Sequence, residues 1–308
     1  MAMVACDAVV DEDTAAPRAG GSTCPTWQCG FNAAEVNGRS ISELNLDGLA
    51  NPSGLRIVGF LAPAGLLGNY KLGVAGDELI ATGNGPTLRG DALIGATILV
   101  KGPELLALPL PITIVDYQAI PSWAAGAPPV ATYALLYPDL ASLLGVRNVC
   151  NGDLLDTLAT AATVLGGETY DPASKTVQPG RARWLTIACA GSAAAKMRLL
   201  GYGPQSDLDG AGHPSTPAQR QATLKMITAD YCGQGTSYTK NHTPLAWENA
   251  EGTVGLGPAG PLEAVWSSTG ALCLEQTRIP GTQVACPLPS CAKFDLDAGE
   301  WQTYLPAP

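Results

Sequence analysis

The chain has 308 residues, with 17 basic and 27 acidic side chains and a formal net charge of −10. Since Lys and Arg form no cluster, the composition argues against nucleic acid and anionic membranes as partners. No apolar run reaches the roughly 20 residues of a membrane-spanning helix, so no transmembrane segment is expected. Only 14% of the residues are charged, against about 25% in typical soluble domains. Such a neutral surface suits an exported protein, or subunits that bury surface against each other.

The first 23 residues are acidic, small and rich in glycine, a composition that predicts a flexible tail. Within this tail, Met3-Val4-Ala5-Cys6 resembles the end of a bacterial lipoprotein signal, and acidic residues follow it as a tether. Cys6 is therefore a candidate lipid anchor. The alternative is that Cys6 is a free cysteine in a disordered terminus.

Residues 24–138 are predicted to form a β-rich domain. Five apolar, partly β-branched runs read as strands: Gly54–Leu61, Tyr70–Thr82, Leu93–Lys101, Leu110–Ile120 and Val130–Tyr137. Turn residues separate these runs at intervals of about a dozen residues, which is typical of a sandwich or barrel. Strands and helices do not alternate here, so the pattern disfavours a nucleotide-binding parallel sheet.

Residues 139–294 are predicted to form a smaller α+β region with three helices, over Asp153–Leu165, Ala188–Leu200 and Thr216–Cys232. The third helix has the sharpest start, because Thr216 can cap it, Pro217 occupies its first position and Gln219 completes a capping box. Cys189 lies near the start of the second helix and Cys232 at the end of the third. Antiparallel packing of these two helices would bring the two cysteines together.

The remainder of the chain again reads as strand. Leu262–Ser267 and Ala271–Gln276 flank a short turn and predict a hairpin, and residues 295–308 form a predicted proline-ended tail. The pattern as a whole indicates an α+β fold. It has a β-rich, sandwich or barrel-like N-terminal half, a small disulfide-linked helical region and a C-terminal hairpin.

Nine cysteines accompany only two histidines, and the CxxC spacing that zinc prefers is absent. Eight cysteines are expected in disulfides, with Cys6 left over: Cys24, Cys29, Cys150, Cys189, Cys232, Cys273, Cys286 and Cys291. Spacing predicts the local bonds Cys24–Cys29 and Cys286–Cys291, the facing helices predict Cys189–Cys232, and elimination leaves Cys150–Cys273. Because disulfides require an oxidising compartment, we expect the periplasm, the cell surface or the medium.

Four stretches in the second half carry the most distinctive motifs: Thr186–Lys196, Lys225–Gly233, Ser237–Thr239, and Ala264–Ser267 with Gly270–Cys273. The second contains Ala229-Asp230-Tyr231-Cys232. Together they resemble the ADYC-domain family, a bacterial family of uncharacterised function named after this tetrapeptide. The similarity is specific over Cys150–Pro280 and weaker over Leu46–Pro138. It implies an exported protein with paired cysteines, and it carries over no catalytic residue.

One pair of residues offers nucleophilic chemistry. Cys189 near a helix start and His242 could form a thiolate–imidazole pair, because a helix N-terminus favours the thiolate. Asn241 or Asn249 would then orient the imidazole. The alternative is that Cys189 is half of a disulfide and that His242 lies in a loop.

The candidate metal ligands are Asp207 and Asp209, whose alternating carboxylates suit calcium. The distal Glu of a complete EF-hand loop is missing, and turns produce the same pattern. Asp230 is predicted to accept hydrogen bonds from backbone donors in the loop Gly233–Ser237. Tyr231 should bury its ring and reach a polar partner through its hydroxyl. No stretch has the spacing of a phosphate-binding loop, so no cofactor is expected.

These observations favour an exported cell-surface or extracellular binding or assembly protein without catalytic activity. The competing hypothesis is a cysteine-dependent hydrolase that uses Cys189 and His242. A further expectation concerns partners. Residues 1–23 and 295–308 are too polar or too proline-rich to fold alone, so we expect a homo-oligomer or filament in which the tails lie on an edge strand of a neighbouring copy. The alternative is a monomer whose N-terminal tail is a flexible lipid tether.

Overall fold

The computed structural model describes residues 34–306, except positions 65, 67, 105–107, 141, 143, 151–160, 207, 209–211, 241–242 and 256–259. Strands account for 37% of the structure and helices for 12%, so β-structure dominates. The predicted α+β fold with a barrel-like part is confirmed. Among the described residues, no helix combines the length and the apolar character needed to cross a membrane.

The strands are β1 (Glu35–Val36), β2 (Arg39–Ser40), β3 (Glu43–Asn45), β4 (Arg56–Leu61), β5 (Lys71–Val74), β6 (Leu79–Thr82), β7 (Leu88–Arg89), β8 (Thr97–Lys101), β9 (Leu110–Ile120), β10 (Val130–Pro138), β11 (Val146–Asn148), β12 (Ala162–Gly166), β13 (Glu168–Asp171), β14 (Thr176–Pro179), β15 (Trp184–Cys189), β16 (Ala246–Asn249), β17 (Leu262–Ser267), β18 (Gly270–Leu274) and β19 (Trp301–Tyr304). The α-helices are α1 (Ala193–Leu199) and α2 (Pro217–Thr228). Short 3-10 turns occupy Gly90–Leu93, Cys291–Lys293 and Leu296–Ala298.

The largest sheet is antiparallel, in the order β3-β15-β12-β10-β9-β8-β4, with β11 added beside β10. Strands from both sides of residue 138 share it. The terminal strands β3 and β4 approach each other without pairing, so the sheet is a nearly closed barrel. Alternate side chains of a strand point into the barrel. In β8, for example, Ile98 and Val100 are buried, while their neighbours along the strand are half-buried.

A second core lies beside this sheet. The four-stranded antiparallel sheet β16-β19-β17-β18 packs against α2, and the core between them holds large aromatic side chains: Tyr202, Tyr231, Trp266 and Trp301. Aromatic rings of this size contribute much of the apolar area that a small core can bury. The helical part of the chain is therefore held by its own aromatic cluster.

The start of α2 confirms the prediction from sequence. The Thr216 hydroxyl accepts the N–H of Gln219 at 3.2 Å, and the Gln219 side chain accepts the N–H of Thr216 at 2.8 Å. The predicted end at Cys232 is wrong, because the helix ends at Thr228 and Ala229 turns into the left-handed conformation. An apolar stripe cannot reveal this, since Tyr231 stays buried after the helix has ended.

The helix predicted over Ala188–Leu200 begins five residues late, at Ala193, after a strand that ends at Cys189. Alanine has a high helix propensity, but propensity is a weak determinant, and pairing of β15 with both β12 and β3 outweighs it. The helix predicted over Asp153–Leu165 is also wrong where it is described, because Ala162–Gly166 forms β12. All five residues of β12 are buried, and such short apolar runs do not distinguish a strand from a helix.

The sequence pattern predicts that residues 295–308 need a neighbouring copy, and this prediction is wrong for Trp301–Tyr304. Trp301–Tyr304 forms β19, which lies between β16 and β17 in the chain's own sheet. The side chain of Trp301 is fully buried there. Pro306 follows the strand and does not interrupt it. The predicted hairpin of β17 and β18 is confirmed.

Candidate functional site

The tetrapeptide Ala229–Cys232 lies directly after α2, where the chain turns towards the β17–β18 hairpin. Ala229 has a φ of 49° and its N–H bonds to the carbonyl of Met226 at 3.1 Å. The N–H of Asp230 then returns to the carbonyl of Lys225 at 2.9 Å. The first two residues of the motif therefore end the helix by satisfying carbonyls of its last turn.

Asp230 forms a buried ion pair with Lys225, whose Nζ lies 2.7 Å from Oδ2. The same oxygen accepts the N–H of Gly235 at 2.7 Å, so the prediction that Asp230 binds this loop is confirmed. Lys225 Nζ also donates to the carbonyls of Ser174 at 2.8 Å and Gly233 at 3.0 Å. The pair joins α2, the loop after the motif and the β13–β14 turn.

Tyr231 is 1% exposed and stacks on Trp266, with ring centroids 5.2 Å apart. Its hydroxyl donates to Glu263 Oε1 at 2.6 Å and accepts the main-chain N–H of Arg278 at 2.8 Å. Burial, with the Glu263 carboxylate as the next cause, raises the pKa of Tyr231. Both parts of the prediction for this tyrosine, a buried ring and a polar partner, are confirmed.

Arg278 completes the surroundings of Tyr231. Its Nε lies 3.0 Å from Glu263 Oε1, and its two Nη atoms donate to the carbonyls of Met226 at 3.0 Å and Ile227 at 3.1 Å. A cation placed on the last carbonyls of a helix also opposes the negative end of the helix dipole. The motif residues and their partners are thus held in stabilising contacts.

A second buried ion pair connects the start of α2 to β13. Arg220 Nη2 lies 2.6 Å from Glu168 Oε2, and both side chains are almost fully buried. Glu168 also accepts the hydroxyl of Tyr170, and Arg220 donates to the carbonyl of Ser215. Sequence reasoning missed this network, because charged residues in a helical pattern are usually exposed and nothing in the spacing marked these two as partners.

Three disulfides join described residues: Cys150–Cys189, Cys232–Cys286 and Cys273–Cys291. The predicted bonds Cys189–Cys232, Cys286–Cys291 and Cys150–Cys273 are wrong. Cys6, Cys24 and Cys29 lie outside the described residues, so the lipid anchor and the Cys24–Cys29 bond stay predictions.

The disulfide predictions are wrong because Cys189 and Cys232 do not lie on the predicted helices. The sequence pattern predicts Cys189 on a helix facing α2, but the residue ends β15, and its Cα lies 5.4 Å from that of Cys150. Cys232 follows the turn after α2, and its Cα lies 5.8 Å from that of Cys286. Both separations fall within the usual range for a disulfide. Which thiols meet is decided by the path of the chain after each element ends.

The predicted nucleophile, Cys189, is part of a disulfide bond. The Cys189 sulfur is bonded to Cys150 and the residue is 4% exposed, so it supplies no thiolate for the hydrolase hypothesis. His242 and Asn241 lie outside the described residues. Asn249 is buried, where its amide nitrogen donates to the Tyr202 hydroxyl at 2.9 Å and its oxygen accepts the N–H of Val254 at 2.8 Å.

The calcium hypothesis rests on Asp207 and Asp209, which also lie outside the described residues. Within the part of the chain that the structure describes, no three His, Cys, Asp or Glu side chains are arranged to hold a metal ion. Its acidic side chains at Asp230, Glu168 and Glu263 are instead paired with Lys225, Arg220 and Arg278.

The surface of the molecule offers a different kind of site. A groove of roughly 500 Å³ runs along the end of β4 and the start of β5, lined by Phe60, Leu61, Ala62, Leu66, Gly68, Asn69, Tyr70 and Lys71. Leu61 is 56% exposed and Leu66 42%. Val58, on the same strand, is 44% exposed and Leu49 60%. We call Leu49, Val58, Leu61 and Leu66 the β4 patch.

The β4 patch lies on the last strand of the sheet, because among the described strands β4 pairs only with β8, and β3 approaches its other side without pairing. Leu49 lies beside this strand, because the preceding residue, Gly48, packs against it: a Cβ atom added to Gly48 would lie 2.9 Å from the carbonyl oxygen of Ile57. Sequence reasoning found the strand itself but missed the patch. The sequence pattern predicts the strand over Gly54–Leu61, but only the arrangement of the sheet shows that this strand is the last one.

The comparisons with known proteins address the family and leave the activity open. The model of the ADYC domain matches residues 90–280, which is more than half of the 308-residue chain. No curated protein and no solved structure matched the chain. The match contains the tetrapeptide, the helix before it and the hairpin that covers Tyr231, whereas the groove at residues 60–71 precedes it. The chain therefore belongs to the ADYC-domain family.

Proposed function

We propose that this protein is an exported binding and assembly protein that joins other polypeptide chains through the edge of β4. The observation that carries the proposal is the β4 patch: four exposed apolar side chains on and beside the terminal strand of an incompletely closed sheet. Unprotected apolar edges promote association, so proteins usually cover or charge them. A partner strand would cover this one.

The energetics favour a polypeptide partner. Burying the exposed parts of four such side chains contributes on the order of 1 kcal/mol each, from about 25 cal/mol per Å² of apolar area. That sum is too small to hold two proteins together at micromolar concentration once the lost freedom of association is included. A strand added to β4 would supply backbone hydrogen bonds as well as apolar contacts.

The remaining features support the same proposal. Three disulfides within the described residues suit an oxidising, extracytoplasmic compartment. The residues that name the family act in stabilising contacts, with Asp230 bound to Lys225 and Tyr231 bound to Glu263. The bonded sulfur of Cys189 argues against the hydrolase alternative. A thiol titration of the denatured, unreduced protein separates the two hypotheses, since the hydrolase requires Cys189 to be free.

Sedimentation velocity over a wide concentration range tests the assembly proposal. The variant Leu61→Glu/Leu66→Glu places two charges in the β4 patch, and we expect its dissociation constant to rise at least tenfold. The control is Leu140→Glu, which charges a fully exposed leucine outside the patch and should associate like the wild type. A wild-type protein that stays monomeric throughout contradicts the proposal, as does equal weakening by the control.

A further inference from the structure

We infer that the occupant of the β4 patch is the segment Asp7–Asp13 of a second copy of this chain. The inference rests on the proposed function, because it names the partner of the same surface. It follows from two matching patterns: cations on either side of the apolar β4 patch, and acids on either side of an apolar run in the segment.

A cation lies at each end of β4. Arg56 begins β4 and is exposed, and it faces Lys101 in the β4–β8 pair. Lys71 lines the groove at the other end. Neither Arg56 nor Lys71 makes an ion pair within 4 Å with another described residue, whereas Arg39 nearby is neutralised by Glu104. In a chain with ten more acidic than basic residues, two cations beside an apolar strand that no described acid pairs with favour an acidic partner.

The segment Asp7-Ala8-Val9-Val10-Asp11-Glu12-Asp13 has the complementary pattern. Two valines, which favour strands, are preceded by one acid and followed by three. Laid beside β4, one of the two valines would lie on the exposed face with the apolar side chains of the β4 patch, because successive side chains of a strand point to opposite faces. The flanking acids would lie near the cations at the two ends of β4. The three consecutive acids at its end would otherwise repel each other, so nearby cations also relieve a cost within the segment.

The length of chain before the first described strand allows contact with a neighbour. Residues 14–33 connect the segment to Ala34, which is buried and precedes β1. Twenty residues span at most about 65 Å when extended, which is enough to reach another molecule. A contact from the tail of one copy to the sheet edge of the next is heterologous, so it can repeat and form a ring or filament.

The test uses full-length variants in pairs. Val9→Asp/Val10→Asp should abolish association, while Ala15→Asp/Ala16→Asp adds the same charge outside the segment and should leave association unchanged. Mixing the Val9→Asp/Val10→Asp protein with the Leu61→Glu/Leu66→Glu protein should restore a one-to-one dimer, because one supplies an intact patch and the other an intact segment.

Charge is tested separately. Asp11→Asn/Glu12→Gln/Asp13→Asn should raise the dissociation constant at least tenfold at low salt and flatten its salt dependence, because exposed charge attraction is screened. If both valine substitutions leave association intact while the β4 patch variant loses it, this inference is overturned and the proposed function stands. If neither variant changes association, both fail. Failure of the mixed variants to form a dimer also overturns the inference.

Discussion

Lys175 buries its ammonium group in the turn between β13 and β14, where the residue is 1% exposed. Among the described residues, Nζ has no hydrogen-bond partner, and neither has Asp230 Oδ1. Burial lowers the pKa of Lys175, the Asp230 carboxylate opposes this shift and Lys225 adds to it. A buried polar group without a partner costs about 1–3 kcal/mol. This cluster is therefore a point at which the fold is less stable than it could be.

We predict that Lys175→Met stabilises the protein near neutral pH by about 1 kcal/mol, because it removes the cost of burying the charge. The folded-state pKa lies below the ordinary value of 10.5. Between the two values the unfolded chain binds more protons, so the wild type gains stability as the pH rises. The advantage of the variant should therefore shrink as the pH approaches 10.5. Urea unfolding at several pH values measures this.

The matched control for Lys175 is Lys240→Met, which removes an exposed lysine. It should change neither the stability at neutral pH nor its slope with pH. If the Lys175 and Lys240 variants show the same pH slope, the buried ammonium group does not titrate as described.

Tyr231 gives the second prediction at this scale. Tyr231→Ala should cost about 3–5 kcal/mol, because it removes a buried ring that stacks on Trp266. Tyr231→Phe keeps the ring and removes the hydroxyl that binds Glu263 and Arg278, so it should cost about 1–3 kcal/mol. Denaturant unfolding separates the two effects. A loss below about 1 kcal/mol for the alanine variant would mean that the tyrosine does not support the core.

At the scale of the elements, the disulfides differ in the length of the chain segment that each one closes. Cys232–Cys286 closes a separation of 54 residues and Cys273–Cys291 one of 18. In the chain-entropy description, the longer loop stabilises more, about 4 against about 3 kcal/mol. Cys232→Ser/Cys286→Ser should therefore lower the unfolding free energy about 1 kcal/mol further than Cys273→Ser/Cys291→Ser. Equal losses would show that strain or residual structure outweighs loop length.

The elements also show where sequence reasoning works. β9 is found at Leu110–Ile120, as its apolar pattern predicts, because a long antiparallel strand with one face inside has a regular alternation. The capping box of α2 is likewise a local device, complete within Thr216–Gln219. In contrast, β12 and the first part of the predicted Ala188–Leu200 helix lie in the middle of the large sheet. There, pairing with distant strands decides the conformation.

On the scale of the whole molecule, the last strand closes the second core. β19 pairs with β16 on one side and β17 on the other. Trp301 Nε1 donates to the Thr223 hydroxyl of α2 at 2.9 Å. Removing residues 301–308 should therefore prevent stable folding of the helical part. Removing only residues 306–308 is the control and should be tolerated. Circular dichroism melting and limited proteolysis report the outcome, and a truncated protein with a wild-type melting curve would contradict the assignment.

Local patterns were enough to indicate a β-rich α+β chain, the start of α2, the β17–β18 hairpin and the family of the motif. Each depends on residues close together in sequence. The tertiary structure alone decided the disulfide partners, the buried pairs Arg220–Glu168 and Arg278–Glu263, and the place of β19 inside its own sheet. These depend on contacts between residues far apart in sequence. The β4 patch belongs to the second group, because a strand pattern does not say which strand will lack a neighbour.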